Sequence, residues 1–78
     1  MSTAWQDRHP SVAHFAPLFA YDHLPERLQR VSRPCAALAD DMLRLLPDGP
    51  ELTVALRKLL EAKDGFVRQA VLNQDKEG

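Results

Sequence analysis

One cysteine, Cys35, is all that this 78-residue chain contains. No intrachain disulfide can form, and no cluster of cysteines can hold a structural metal. Long apolar runs are missing as well. The longest cover a few residues, far short of the roughly 20 that cross a bilayer. An excess of one charge is also absent: ten Lys and Arg stand against eleven Asp and Glu, for a formal net charge of −1. That balance disfavours a duplex-DNA binder, which carries a basic face. It leaves room for a small anionic ligand that a few local cations can hold. No basic stretch followed by an apolar core opens the chain, so no signal peptide is expected. A soluble, intracellular protein of a reducing compartment is the expectation.

Smallness is a further constraint. A domain of this size buries only about 60% of its unfolded surface. Scaffolds this small are commonly completed by disulfides, metal or association. With no disulfide or cysteine cluster available, association with further copies of the chain is the expected route.

What is present is helix on both sides of one break, Leu46-Pro47-Asp48-Gly49-Pro50. Pro47 cannot extend a preceding helix, and Pro50 has its φ preset for a first helical turn. The run therefore predicts the tip of an antiparallel helical hairpin, an all-α fold. The first helix is expected over about residues 25–46, starting at Pro25 with Glu26 in the first turn. Leu24, Leu28, Val31, Cys35, Leu38, Met42 and Leu45 form its seam at alternating spacings of four and three. Pro34 predicts a bend near Arg30–Pro34. The second helix is expected over about residues 50–72, with Leu52, Leu56, Leu59, Phe66 and Ala70 on the seam. Lys63 interrupts that row, either as a seam cation or as a stem lying beside Ala62 with its ammonium in water. Gly65 costs about 1 kcal/mol against alanine in a helix interior and permits a close approach. Leu56, Leu60, Val67 and Val71 make a second apolar row that one hairpin partner cannot cover. The chain thus divides into residues 1–22, partly mobile, a hairpin over 23–72, and a disordered polar tail over 73–78. In the lead-in, Trp5 reads as a loosely docked aromatic. Phe15, Phe19 and Tyr21 form the aromatic centre, with a short helix or packing segment over 11–21.

Catalytic chemistry is poorly supported. His9, His14 and His23 match no metal-binding spacing and read as surface histidines. Asp40 and Asp41 are sequence neighbours and point about 100° apart on a helix. Glu61 and Asp64 have Arg57, Lys58 and Arg68 within one turn, an ordinary ion-paired face. Cys35 falls on the seam as a small core residue. The cations offer more. Arg27, Arg30, Arg33 and Arg44 lie on the first helix, and Arg57, Lys58, Lys63 and Arg68 on the second. A solvated face explains them. They also suit a nucleotide site if they meet Phe19 or Tyr21, since aromatic faces stack bases and cations grip phosphates.

The order of features resembles one family. A lead-in of Phe19-Ala20-Tyr21, a first helix, a Leu46-Pro47 turn followed by Glu51, and the closing Leu56-Arg57-Lys58-Leu59-Leu60-Glu61-Ala62 resemble the helical-hairpin phage anti-defence sponges. These counter the bacterial CBASS and Thoeris systems. The match is closest over Leu45–Arg68 and looser over Phe19–Leu72. The resemblance implies a small non-enzymatic protein without a cofactor, in the cytoplasm of an infected bacterial host. It implies a homo-oligomer, commonly a hexamer, of interlocking hairpins. Cyclic di- or trinucleotide or cyclic ADP-ribose signals would be held uncleaved between protomers. Phe19 or Tyr21 would stack a base, and Arg57, Lys58, Lys63 or Arg68 would meet the phosphates. Many relatives carry Met-Trp after the Glu-Ala pair, whereas this chain has Lys63-Asp64-Gly65. Two further readings stand beside it: a coiled-coil interaction module without a small ligand, and a helical nucleic-acid-binding regulator, which the net charge disfavours.

Overall fold

A computed structural model describes residues 3–77, and it is helical, with no strand among the described residues. Two long helices dominate. Helix α2 covers Glu26–Leu45 and α3 covers Pro50–Glu77. Ahead of them lie a 3-10 turn at Thr3–Trp5, a short helix α1 at Pro10–Ala13, and a second 3-10 turn at Ala16–Phe19.

The ends of the long helices follow from local chemistry. Pro25 sets the entry to α2 with φ −55° and ψ 150°, and Glu26 places negative charge in its first turn. Gln29 reaches back through Nε2 to donate to the Leu24 carbonyl at 2.9 Å, closing the turn before the helix. Arg44 sits in the last turn, where the dipole favours a cation. Leu46 is extended at φ −121°, ψ 140°, as a residue preceding proline prefers. Pro50 then opens α3, and the Gly49 carbonyl accepts from both the Thr53 amide (3.1 Å) and the Thr53 hydroxyl (3.2 Å). Helix α2 continues through Pro34, which removes one donor without ending the helix.

α3 is 28 residues against 20 for α2. At 1.5 Å per residue it spans about 42 Å and outruns its partner by about 12 Å. The molecule is 44 Å long and 21 by 18 Å across, so α3 alone sets its long axis. The tail expected to be disordered over 73–78 continues as helix to Glu77, while Gly78 lies outside the described residues.

The core lies toward the tip and has three contributors. Trp5, Val12, Phe15 and Phe19 come from the lead-in, Ala39 and Leu43 from α2, and Leu52 and Leu56 from α3. Trp5, read as a loosely docked aromatic, is 8% exposed, and its ring stacks on Phe19 with centroids 5.8 Å apart. Pro10 starts α1 at a first-turn position, where its missing N–H costs nothing.

The lead-in also rotates the buried face of α2. Leu28 and Cys35 are buried as the seam predicts, but Ser32, Ala39 and Leu43 replace Val31, Leu38 and Met42. Leu38 is half exposed and Leu45 largely so. Two causes combine. A straight helix drifts about 20° per heptad from a 3.5-residue seam, and the lead-in aromatics pack against α2 in addition to α3. Small residues at 32, 36 and 39 let those aromatics and α3 approach the α2 backbone.

Candidate functional site

Three places on the surface carry chemistry, and the tip is the first. Asp7 adopts the left-handed region at φ 62°, which a short polar residue tolerates, and this turns the chain back toward the hairpin. Arg8 then clasps the tip. Its Nη1 donates to the Leu43 carbonyl (3.0 Å) and its Nη2 to the Leu46 carbonyl (2.9 Å). Its Nε lies 2.8 Å from Asp48 Oδ1, and the His9 amide donates to Asp48 Oδ2 at 2.9 Å. One guanidinium thus caps the C-terminus of α2 and pairs with the turn carboxylate. This is a structural clasp.

The histidines are local. His9 Nδ1 accepts from the Ser11 amide at 3.1 Å and caps α1, and His14 Nδ1 lies 3.0 Å from the Pro10 carbonyl. Among the described residues, no group of three His, Cys, Asp or Glu side chains converges to hold a metal ion.

The second place is a pocket of about 240 Å³ between the lead-in and α2. Trp5, Phe19 and Tyr21 line one side, and Arg33, Ala36, Ala37 and Asp40 the other. The last four are spaced i, i+3, i+4, i+7, so they form one face of α2. The Arg33 guanidinium lies over the Tyr21 ring, 5.4 Å from its centroid, and its Nη2 donates to Gln29 Oε1 at 3.2 Å.

The third place is an open, mainly apolar groove of about 680 Å³ between α2 and α3, toward the end away from the tip. Val31, Cys35, Leu38, Leu59, Phe66 and Ala70 line it, with Phe66 58% exposed. Lys63 stands on the seam rather than beside it. Its side chain is 12% exposed, its Nζ lies 2.9 Å from Asp64 Oδ1, and Ala62 faces solvent instead. Burial pushes the Cys35 thiol above its ordinary value of 9.0, partly offset by the charge of Lys63. That thiol donates to the Val31 carbonyl at 3.7 Å. Burial favours its neutral thiol form.

Comparison with protein-family models, curated proteins and solved structures finds no match.

The expected site residues are therefore placed by geometry alone. Phe19 is 3% exposed, and its ring is engaged with Trp5 in the core, leaving Tyr21, half buried beneath the Arg33 guanidinium, as the less buried lead-in aromatic of the pocket. Arg57 stacks over Phe15, 5.5 Å from the ring centroid, on the other side of the core. Lys58 and Arg68 are exposed, and Lys63 is held at the seam. None of these four α3 cations lines the Tyr21 pocket, and the pocket and groove share no residue. Within one protomer the cation that meets Tyr21 is Arg33. Spacing along the chain does not select it from the four arginines of α2, because the pairing depends on how residues 20–25 turn into the helix.

Proposed function

We propose that this chain is a non-enzymatic sponge that binds a cyclic oligonucleotide or cyclic ADP-ribose type of immune signal and withholds it from a host effector. The observation that carries the reading is the pairing of Tyr21 with Arg33 beside a pocket of about 240 Å³. A ring offers a stacking face, and a guanidinium offers paired donors for phosphate. The pocket is smaller than the roughly 300 Å³ at which sites for drug-sized ligands begin. It takes one flat heteroaromatic group and leaves the rest of a cyclic nucleotide outside. In a homo-oligomer, hexameric if the resemblance to the anti-CBASS and anti-Thoeris hairpins extends to assembly, a neighbouring copy closes over that remainder. Lys58 and Arg68, exposed on α3, are then the cations of a neighbour that meet the second phosphate. Such a protein acts in the cytoplasm of an infected bacterium.

Calorimetric titration with cyclic di- and trinucleotides and cyclic ADP-ribose isomers tests this. Binding to the wild type that falls at least tenfold in Tyr21→Ala and in Arg33→Ala supports it. Unchanged affinity in both variants overturns it.

A second reading rests on the apolar groove. Leu38 and Phe66 are 47% and 58% exposed on its two walls, the placement expected of a hairpin that docks another helix. A protein that associates through this groove and binds no member of the panel is an interaction module.

A further inference from the structure

Asp40 lies on the face of α2 that carries Arg33, Ala36 and Ala37. It is half buried, lines the Tyr21 pocket, and makes none of the hydrogen bonds or ion pairs described for the fold. It stands two turns from Arg33 on the same face of α2, about 10 Å along the helix. Between them lie only Ala36 and Ala37, a low floor over which a flat ring system can rest. An arginine at one end and a carboxylate at the other match the polarity of a nucleotide, with phosphate at one end and the hydrogen-bonding edge of the base at the other.

The carboxylate restricts which base. An ionised Asp only accepts hydrogen bonds, through two oxygens. Guanine alone presents two adjacent donors on its Watson–Crick edge, N1–H and the N2 amino group, and so pairs with a carboxylate in a fork. Adenine presents one amino donor beside an acceptor nitrogen, and cytosine does the same. Each sets a lone pair against an Asp40 oxygen. An unpaired carboxylate facing an anionic ligand is a penalty against the wrong base, and specificity arises from that difference as much as from the fork. Asp22, exposed on the same pocket, adds to the cost for any ligand that brings no donors.

Resting on the sponge reading, we infer that Asp40 makes the Tyr21–Arg33 pocket a guanine-selective base site, so that the sequestered signal contains at least one guanine. The selectivity comes from a carboxylate–guanine fork at the end of the pocket opposite the phosphate-binding arginine.

The test is a titration of the full chain with cyclic di-GMP, cyclic GMP-AMP and cyclic di-AMP, repeated with Asp40→Asn. Replacing a carboxylate by an amide keeps the shape, and circular dichroism confirms that the variant remains helical. The expected result is a preference of at least tenfold for the guanine-containing ligands, reduced to threefold or less in Asp40→Asn. Competition by GMP but not AMP gives the same answer without the variant. Equal or tighter binding of cyclic di-AMP by the wild type overturns the guanine assignment and leaves the sponge reading standing. So does a preference that Asp40→Asn leaves intact. Failure of all three ligands and of the cyclic ADP-ribose isomers overturns both.

Discussion

Arg8 illustrates what single residues decide here. It stands in a polar lead-in, and its partners are two backbone carbonyls 35 and 38 residues away, plus the Asp48 carboxylate. No pattern in the chain marks such a partner, because any helix end offers free carbonyls. With its side chain only 16% exposed, the clasp is partly shielded from solvent. Arg8→Ala is expected to destabilise the fold by about 1–3 kcal/mol, by removing the side-chain donors to the Leu43 and Leu46 carbonyls; chemical denaturation measures it. Cys35 gives the residue scale a pH signature. Its thiol is raised above 9.0 in the fold by burial, so the folded state holds the proton longer than the unfolded chain does. The stability it contributes is complete below the unfolded value and is lost as pH rises toward the folded one. Between about pH 8 and pH 10 the wild type should therefore lose more stability than Cys35→Ala, and denaturation at the two ends of that window compares them.

Helices were the part of the fold written most openly in the chain. Pro25, Pro47 and Pro50 mark their bounds, and α2 and α3 begin within a residue of the expected positions. Their buried faces were legible only in part. Leu28, Cys35, Leu52 and Leu56 are buried as their spacing predicts, whereas Ser32 and Ala39 displace Val31 and Leu38. Periodicity reports the face that one partner helix wants. It does not report a third layer, and here Trp5, Phe15 and Phe19 supply that layer from a segment with no period of its own. The same limit governs the candidate site. The aromatic lead-in stood out from composition, but its partner on α2 depended on the docking that periodicity leaves unspecified. Within α3, a Cβ built at Gly65 meets nothing within 4 Å. Gly65→Ala should thus stabilise a dilute protomer by about 1 kcal/mol through helix propensity alone, read as a rise in the denaturation midpoint. A loss of stability at high protein concentration would instead place that glycine against another copy.

At the scale of the molecule, the core gathers toward the tip, where Leu45, Leu46 and Val54 nonetheless remain exposed. Lead-in, α2 and α3 meet around Phe15, yet α3 runs on with Phe66, Val71 and Leu72 exposed. Self-association through the apolar groove is the expected consequence. Phe66→Glu, made at a position already 58% exposed, should shift light scattering toward monomer while circular dichroism stays helical. An unchanged oligomer would remove the groove from the interface. The central claim is that the molecule stores a cyclic nucleotide unaltered, and one measurement reaches it directly: thermal unfolding with saturating ligand, followed by chemical recovery of that ligand from the denatured protein. A stabilisation of about 2.7 kcal/mol at a hundredfold excess over Kd, with the ligand recovered intact, is the predicted result. A flat response to every cyclic di- and trinucleotide and cyclic ADP-ribose isomer, or recovery of a cleaved product, would contradict it.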